Sequence, residues 1–202
     1  MTATPASARK PLVWFPDTSA LVTMAVHAPL EQAVREALSA HRRVLLTAVV
    51  AELEGLAKAP HSSSAWASVA LGQLGWLGKP VVVDEPIGVE LAAGIQERIA
   101  AGRPLLHQAQ HYGEAAIISL ASRAQQLRPV MLSDDYDARV AAKAFNIEPL
   151  SIHKLMHLMI KQCKITAAQA FRFAEALDKA GRAKDYSAGE LTSGRLGRVG
   201  QP

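Results

Sequence analysis

The sequence predicts an α/β fold built on a parallel sheet. Short apolar runs recur at residues 12–15, 43–47, 80–84, 129–133 and 147–150, segments with helical character separate them, and half of the 202 residues are apolar with only a fifth charged. Strands joined through helices pair in parallel by right-handed crossovers. A chain this apolar buries enough surface to offset the entropy of ordering it, and its length suits one domain with an appendage.

Leu12-Val13-Trp14-Phe15 reads as the first strand, and Pro16-Asp17-Thr18-Ser19 supplies the loop and cap that start a helix. Helical stretches follow at 19–27 and 30–41. The second strand, 43–47, runs straight into a helix that ends near Lys58. Ala59-Pro60-His61-Ser62-Ser63-Ser64 breaks the pattern, and a helix resumes over 65–77 despite Gly72 and Gly75. A third strand at 80–84 leads to a helix at 88–100, and Gly102-Arg103-Pro104 interrupts before the next helix, 113–125. The fourth strand, 129–133, a helix at 135–145 and the fifth strand, 147–150, complete the main unit. Beyond it, 153–160 and 166–179 form a helical pair, with Thr166 as N-cap and Gly181 as stop signal. The expected organisation is a flexible N-terminus (1–11), a main α/β domain (12–150), a helical extension (151–181) and a Gly- and Ser-rich flexible tail (182–202).

Several classes drop out. The longest apolar runs fall far short of the roughly 18 residues that span a bilayer, and the N-terminal MTATPASARK has no hydrophobic stretch of a secretory signal. A soluble cytoplasmic protein with no membrane partner is expected. The single cysteine, Cys163, excludes an internal disulfide and a cysteine-rich zinc site. There is no Walker loop, no Gly-rich dinucleotide fingerprint and no G-x-S-x-G elbow. Residues 1–150 carry 13 Lys and Arg against 14 Asp and Glu, a balance of −1, whereas residues 151–202 carry 9 against 4, a balance of +5. The basicity is C-terminal, where an anionic partner or simply a solvated face would use it.

Ligands of parallel α/β sheets collect beyond the carboxyl ends of the strands. Asp17 follows the first strand and Asp134 and Asp135 the fourth, while Glu52 lies in the helix after the second and Glu114 opens the helix before the fourth. Carboxylates gathered at one edge repel one another unless a divalent cation neutralises them. Oxygen donors without cysteine point to Mg²⁺ or Mn²⁺, and such an ion activates water and stabilises charge developing on a phosphodiester.

The ordered motifs Asp17-Thr18-Ser19-Ala20-Leu21, Val50-Ala51-Glu52-Leu53, Gly113-Glu114-Ala115-Ala116-Ile117 and Leu132-Ser133-Asp134-Asp135, with Arg139 and Ala142, resemble the PIN domain over residues 12–150. The resemblance implies a three-layer α/β/α fold with a central five-stranded parallel sheet, followed here by extra C-terminal helices. It implies a metal-dependent ribonuclease, frequently the toxin of a bacterial toxin-antitoxin pair. Asp17, Glu52 and Glu114 match the first three acidic positions, and the fourth falls on the Asp134-Asp135 pair, with Asp135 preferred, Asp134 next and Asp137 a distant third. Ser19 and Ser133 match small hydroxyl residues beside the metal. The third acid is glutamate where toxins often carry aspartate.

Each acid has a bland reading beside the functional one. Asp17 could cap its helix. Glu52, with Val49 at i−3 and Leu56 at i+4, borders an apolar face where an unpaired carboxylate is costly, unlike Glu54, which has Lys58 at i+4. Glu114 sits in a first turn where the helix dipole favours negative charge, and Gly113 permits close approach of backbone to ligand. Asp134 and Asp135 share metal binding and helix capping between them. His107 and His111, and His153 and His157, are spaced to hold zinc on one helix face, but Gln108 and Lys154 stand where the zinc-protease signature needs glutamate. Trp14 and Phe15 read as core, and Trp66 and Trp76 as core or partner groove. Arg139 reads as an ion-pair or phosphate-contact residue.

The expected function is a Mg²⁺- or Mn²⁺-dependent endoribonuclease acting on an RNA substrate. An antitoxin protein that covers the cleft or supplies a basic side chain to it is the partner the toxin role would bring, and the apolar helix at 65–77 offers a homodimer face. The alternative is a catalytically inactive RNA-binding or scaffold protein whose basic C-terminal helices do the binding.

Overall fold

The computed structural model describes residues 10–100, 110–124 and 126–182. The expected N-terminal segment up to residue 9, the break at Gly102-Arg103-Pro104, His107, the end of the 113–125 helix at residue 125, and the tail from residue 183 lie outside them.

A parallel sheet of four strands in the order β2-β1-β3-β4 forms the centre: β1 (Leu12–Pro16), β2 (Arg42–Arg43), β3 (Arg128–Leu132) and β4 (Glu148–Leu150). β1 pairs with β3 along its whole length, from Leu12 opposite Arg128 to Pro16 opposite Leu132. Val13, Trp14 and Phe15 are buried, as a near-continuous apolar run in a central parallel strand requires. The chain is therefore α/β, but the expected five-stranded sheet is corrected to four among the described residues. The stretch 80–84 contributes only one bridge, Val81 opposite Leu46, in which Val81 N–H donates to Leu45 O (2.8 Å) and Thr47 N–H to Val81 O (2.9 Å). Pro80 has no N–H to extend it, Val82 stands more than half exposed, and Pro86 already opens a helix. The second strand is also shorter than the expected 43–47, because Thr47 belongs to the following helix.

The helices are α1 (Thr18–Ala25), α2 (Ala28–Ala37), α3 (Thr47–Lys58), α4 (Ser64–Gln73), α5 (Pro86–Ala100), α6 (Tyr112–Arg123), α7 (Tyr136–Ala144), α8 (Ile152–Lys161) and α9 (Ala167–Lys179). The single helix expected over 65–77 ends at Gln73 and tightens into a 3-10 turn, Leu74–Leu77, where two glycines within four residues weaken the α-helix. Thr166 caps α9 through a full capping box with Gln169.

Helices α5 and α6 pack together, α3 packs on α4 and α6, and α8 packs on α1, β4 and α9. The C-terminal pair shares the main core: Ile152, Met156, Phe173 and Leu177 belong to the same buried cluster as Phe15, Leu53, Ile117 and Met131. Trp14 lies in that core, and Trp66 and Trp76 pack partly buried against it, with the Arg43 guanidinium 5.8 Å from the Trp76 ring centre. Among the described residues no helix is long and apolar enough to cross a membrane.

The strand order fixes where chemistry can collect. From β1 the chain moves to β2 on one side, whereas β3 lies on the other, so the switch point falls between β1 and β3. Two backbone bonds hold the strand ends level: Asp17 N–H to Leu132 O (3.0 Å) and Ser133 N–H to Leu150 O (2.9 Å).

Candidate active site

A cleft of about 590 Å³ opens beyond these strand ends, lined in part by Glu52, Glu114, Asp134, Asp135 and Ser19. Asp17 is completely shielded from solvent and lies beneath the lining.

Asp17 sits at the N-cap of α1, where its Oδ1 accepts the Ala20 N–H at 2.8 Å, so the capping reading of this residue is realised. The same carboxylate accepts the Ser19 hydroxyl at 3.0 Å. Ser19 Oγ in turn accepts the Asp134 N–H at 2.8 Å, which leaves its one proton for Asp17. Ser133 acts in parallel, accepting the Asp135 N–H at 3.1 Å while its hydroxyl faces Asp17. Burial pushes the Asp17 carboxyl from the ordinary 3.8 up to about 7, with bonds from Ser133, Ala20 and Ser19 opposing and the Asp134 charge adding to the rise.

Glu52 is reached from two elements. The Thr18 hydroxyl donates to its Oε2, and the Gly113 N–H donates to its Oε1 at 2.8 Å. A Cβ on Gly113 would lie 2.5 Å from Oε2, so the glycine makes room for Glu52 itself, where the sequence suggested room for a ligand. Of the two residues that flank Glu52 at helical spacing, Val49 is fully buried and Leu56 partly so; Glu52 itself is half-buried and Glu54 exposed.

Glu114 is buried in the first turn of α6, and its Oε2 has no hydrogen-bond partner among the described residues. Desolvation raises its carboxyl well above the ordinary range, and the charges of Glu52, Asp17 and Asp135 raise it further. A bond from its own backbone opposes the rise, but a buried carboxylate with one oxygen unpartnered and other carboxylates facing it is costly, so such an arrangement calls for a proton or a cation.

The adjacent aspartates divide. Asp134 turns back into the protein: its Oδ1 accepts the Ile152 N–H at 2.9 Å at the start of α8, and the Thr23 hydroxyl also bonds to it. Burial raises its carboxyl, while Arg182 and Arg139 oppose the rise. Asp135 caps α7 by accepting the Ala138 N–H at 2.9 Å and lines the cleft. Asp137, one step into α7, is absent from that lining. Arg139 donates to the Ser133 carbonyl at 3.1 Å.

Among the described residues no three His, Cys, Asp or Glu side chains stand ready-made around a metal position. The residues able to hold a hard cation are oxygen donors, Glu114 with Asp17, Asp135 and Glu52. His153 is buried in α8, and His111 lines the cleft in a left-handed conformation, φ +61°.

Two contributors escaped the sequence reading. Thr18 stood in the first motif but was given no role there; its hydroxyl holds Glu52. Arg182, assigned to the tail, instead lines the cleft and donates to Ser19 O (3.0 Å) and Thr23 Oγ1 (2.9 Å). Its signal was Gly181, a C-terminal stop that reverses the chain.

The chain matches no protein-family model, and neither the curated proteins nor the solved structures give a match.

Proposed function

We propose that this protein is a metal-dependent endoribonuclease of PIN type, with a three-layer α/β/α core and the C-terminal helices as an integral addition. The observation that carries the proposal is Glu114: a buried carboxylate with an unpartnered oxygen, repelled by the charges of Glu52, Asp17 and Asp135 at the switch point of a parallel sheet. The donor set suits Mg²⁺ or Mn²⁺, and the choice of RNA as substrate rests on the four ordered acidic motifs.

Asp17, Glu114 and Asp135 would hold the ion, with Glu52 kept in orientation by Gly113 N–H and the Thr18 hydroxyl. When bound, Mg²⁺ or Mn²⁺ supplies a Lewis acid that acidifies water and offsets the negative charge building on a phosphodiester. Ser19 and Ser133 fix the Asp17 carboxylate by donating to it while accepting the amides of Asp134 and Asp135. Asp134 ties the cleft wall to α8 through Ile152 N–H. Asp135, whose capping bond uses Oδ1 and whose side chain lines the cleft, would contribute its carboxylate to the same ion.

The test is cleavage of a defined panel of single-stranded and structured RNAs with and without EDTA. Wild-type protein should cleave in Mg²⁺ or Mn²⁺ and stop on chelation, and Asp17→Asn should keep its fold and lose activity. Undiminished, chelator-resistant cleavage by Asp17→Asn would reject the assignment.

A further inference from the structure

The cleft wall is rich in carboxylates, yet an RNA phosphate is itself an anion. Among the described residues lining the cleft, Arg182 is the one arginine or lysine. It arrives from the far end of the chain by a defined route. Gly181, at φ +67°, ends α9 in a Schellman closure, in which Gly181 N–H donates to Asp178 O (2.9 Å) and Arg182 N–H to Leu177 O (2.8 Å). Phe173 of α9 stacks edge-on against His27 at 5.6 Å, just beyond α1, and Leu177 is buried in the core. These contacts aim the side chain along α1.

There the guanidinium is held by one turn of that helix. Nη2 donates to the Ser19 carbonyl at 3.0 Å and to Thr23 Oγ1 at 2.9 Å, and Nε reaches Thr23 Oγ1 at 3.3 Å. Nη1 has no hydrogen-bond partner among the described residues. The Thr23 hydroxyl that accepts from Arg182 also bonds to Asp134, so the arginine is anchored to the wall that carries the acids. The result is a fixed, half-buried cation with a donor edge left over, beside the acids assigned to the metal. That geometry suits an oxygen of a phosphodiester, for which guanidinium is the preferred partner.

We propose that Arg182 is the phosphate-contacting residue of this site, which makes the C-terminal helical pair part of the catalytic apparatus. The proposal rests on the ribonuclease reading and adds a substrate contact to it. A guanidinium placed there to fill the cleft and silence it is the opposing outcome.

The experiment compares wild type, Arg182→Lys and Arg182→Ala in full-length protein, with Mn²⁺ affinity by calorimetry, kcat and KM on one RNA, and binding of a short RNA oligonucleotide across a salt series in EDTA. Loss of a charge-assisted contact should lower kcat/KM roughly 10- to 100-fold in Arg182→Ala, with Arg182→Lys between and Mn²⁺ affinity unchanged. The salt dependence of RNA binding should also fall by the equivalent of about one phosphate contact. Equal or faster cleavage by Arg182→Ala overturns the proposal, and faster cleavage identifies the silencing role. If wild type does not cleave, the ribonuclease reading fails, and the oligonucleotide series still decides the contact: an unchanged affinity and salt slope in both variants contradicts it. Should Arg182→Ala fail to fold, Arg182→Lys carries the same comparison.

Discussion

The backbone N–H of Gly113 donates to the Glu52 carboxylate across 2.8 Å, joining the start of α6 to the middle of α3 over the cleft. Gly113→Ala would put a Cβ 2.5 Å from Glu52 Oε2. It should displace Glu52, cost about 1–3 kcal/mol of stability by overpacking, and lower RNA cleavage at least tenfold. Urea unfolding and cleavage assays check this against Gly55→Ala, which has nothing within 4 Å and should not lose stability.

The metal-free protein should lose stability as it becomes less acid. For a carboxyl whose folded pKa is raised, the stabilising contribution is fully present below its unfolded pKa and disappears as pH rises through the folded one. For Asp17 that window runs from about 3.8 to about 7, and the upward shifts of Glu114 and Asp134 act in the same direction. In EDTA the melting temperature should fall across this window, less steeply in Asp17→Asn, and saturating Mn²⁺ should restore it at the neutral end. An identical pH slope in wild type and Asp17→Asn would contradict the burial of that charge.

Glu114 should show stability and activity in opposition. Replacing a buried carboxylate with one unpartnered oxygen by an amide removes the cost of desolvating its charge, so Glu114→Gln should stabilise the chelated protein at neutral pH by on the order of 1–3 kcal/mol while abolishing cleavage. Thermal unfolding in EDTA reads the first effect and an RNA assay the second.

The neighbouring aspartates should separate by phenotype. Asp134→Ala removes the acceptor for Ile152 N–H and should cost about 1–3 kcal/mol of stability. Asp135→Asn keeps a side-chain cap for Ala138 N–H, so its stability should stay within about 0.5 kcal/mol of wild type while cleavage drops. Full activity in Asp135→Asn would assign the ligand role elsewhere.

Asp17 and Glu52 were legible because a pattern defines their positions: Asp17 follows an apolar strand, and Glu52 borders an apolar helix face marked by Val49 and Leu56. The 80–84 stretch misled because Val81-Val82-Val83 has strand composition, whereas pairing needs donors in register, and Pro80 removes one. The division between Asp134 and Asp135 was invisible because it depends on the Ile152 amide and the Thr23 hydroxyl, which only tertiary packing brings near. Arg182 was missed for the same reason: its partners, Ser19 and Thr23, lie more than 150 residues earlier in the chain.

Calorimetric titration of Mn²⁺ into wild type, Asp17→Asn and Glu114→Gln at pH 7.5 asks whether these carboxylates hold a hard cation. Wild type should bind saturably, with proton release because raised carboxyls must ionise, and each variant should bind at least tenfold more weakly. Absence of binding by folded wild-type protein, or equal affinity in all three, would contradict that role.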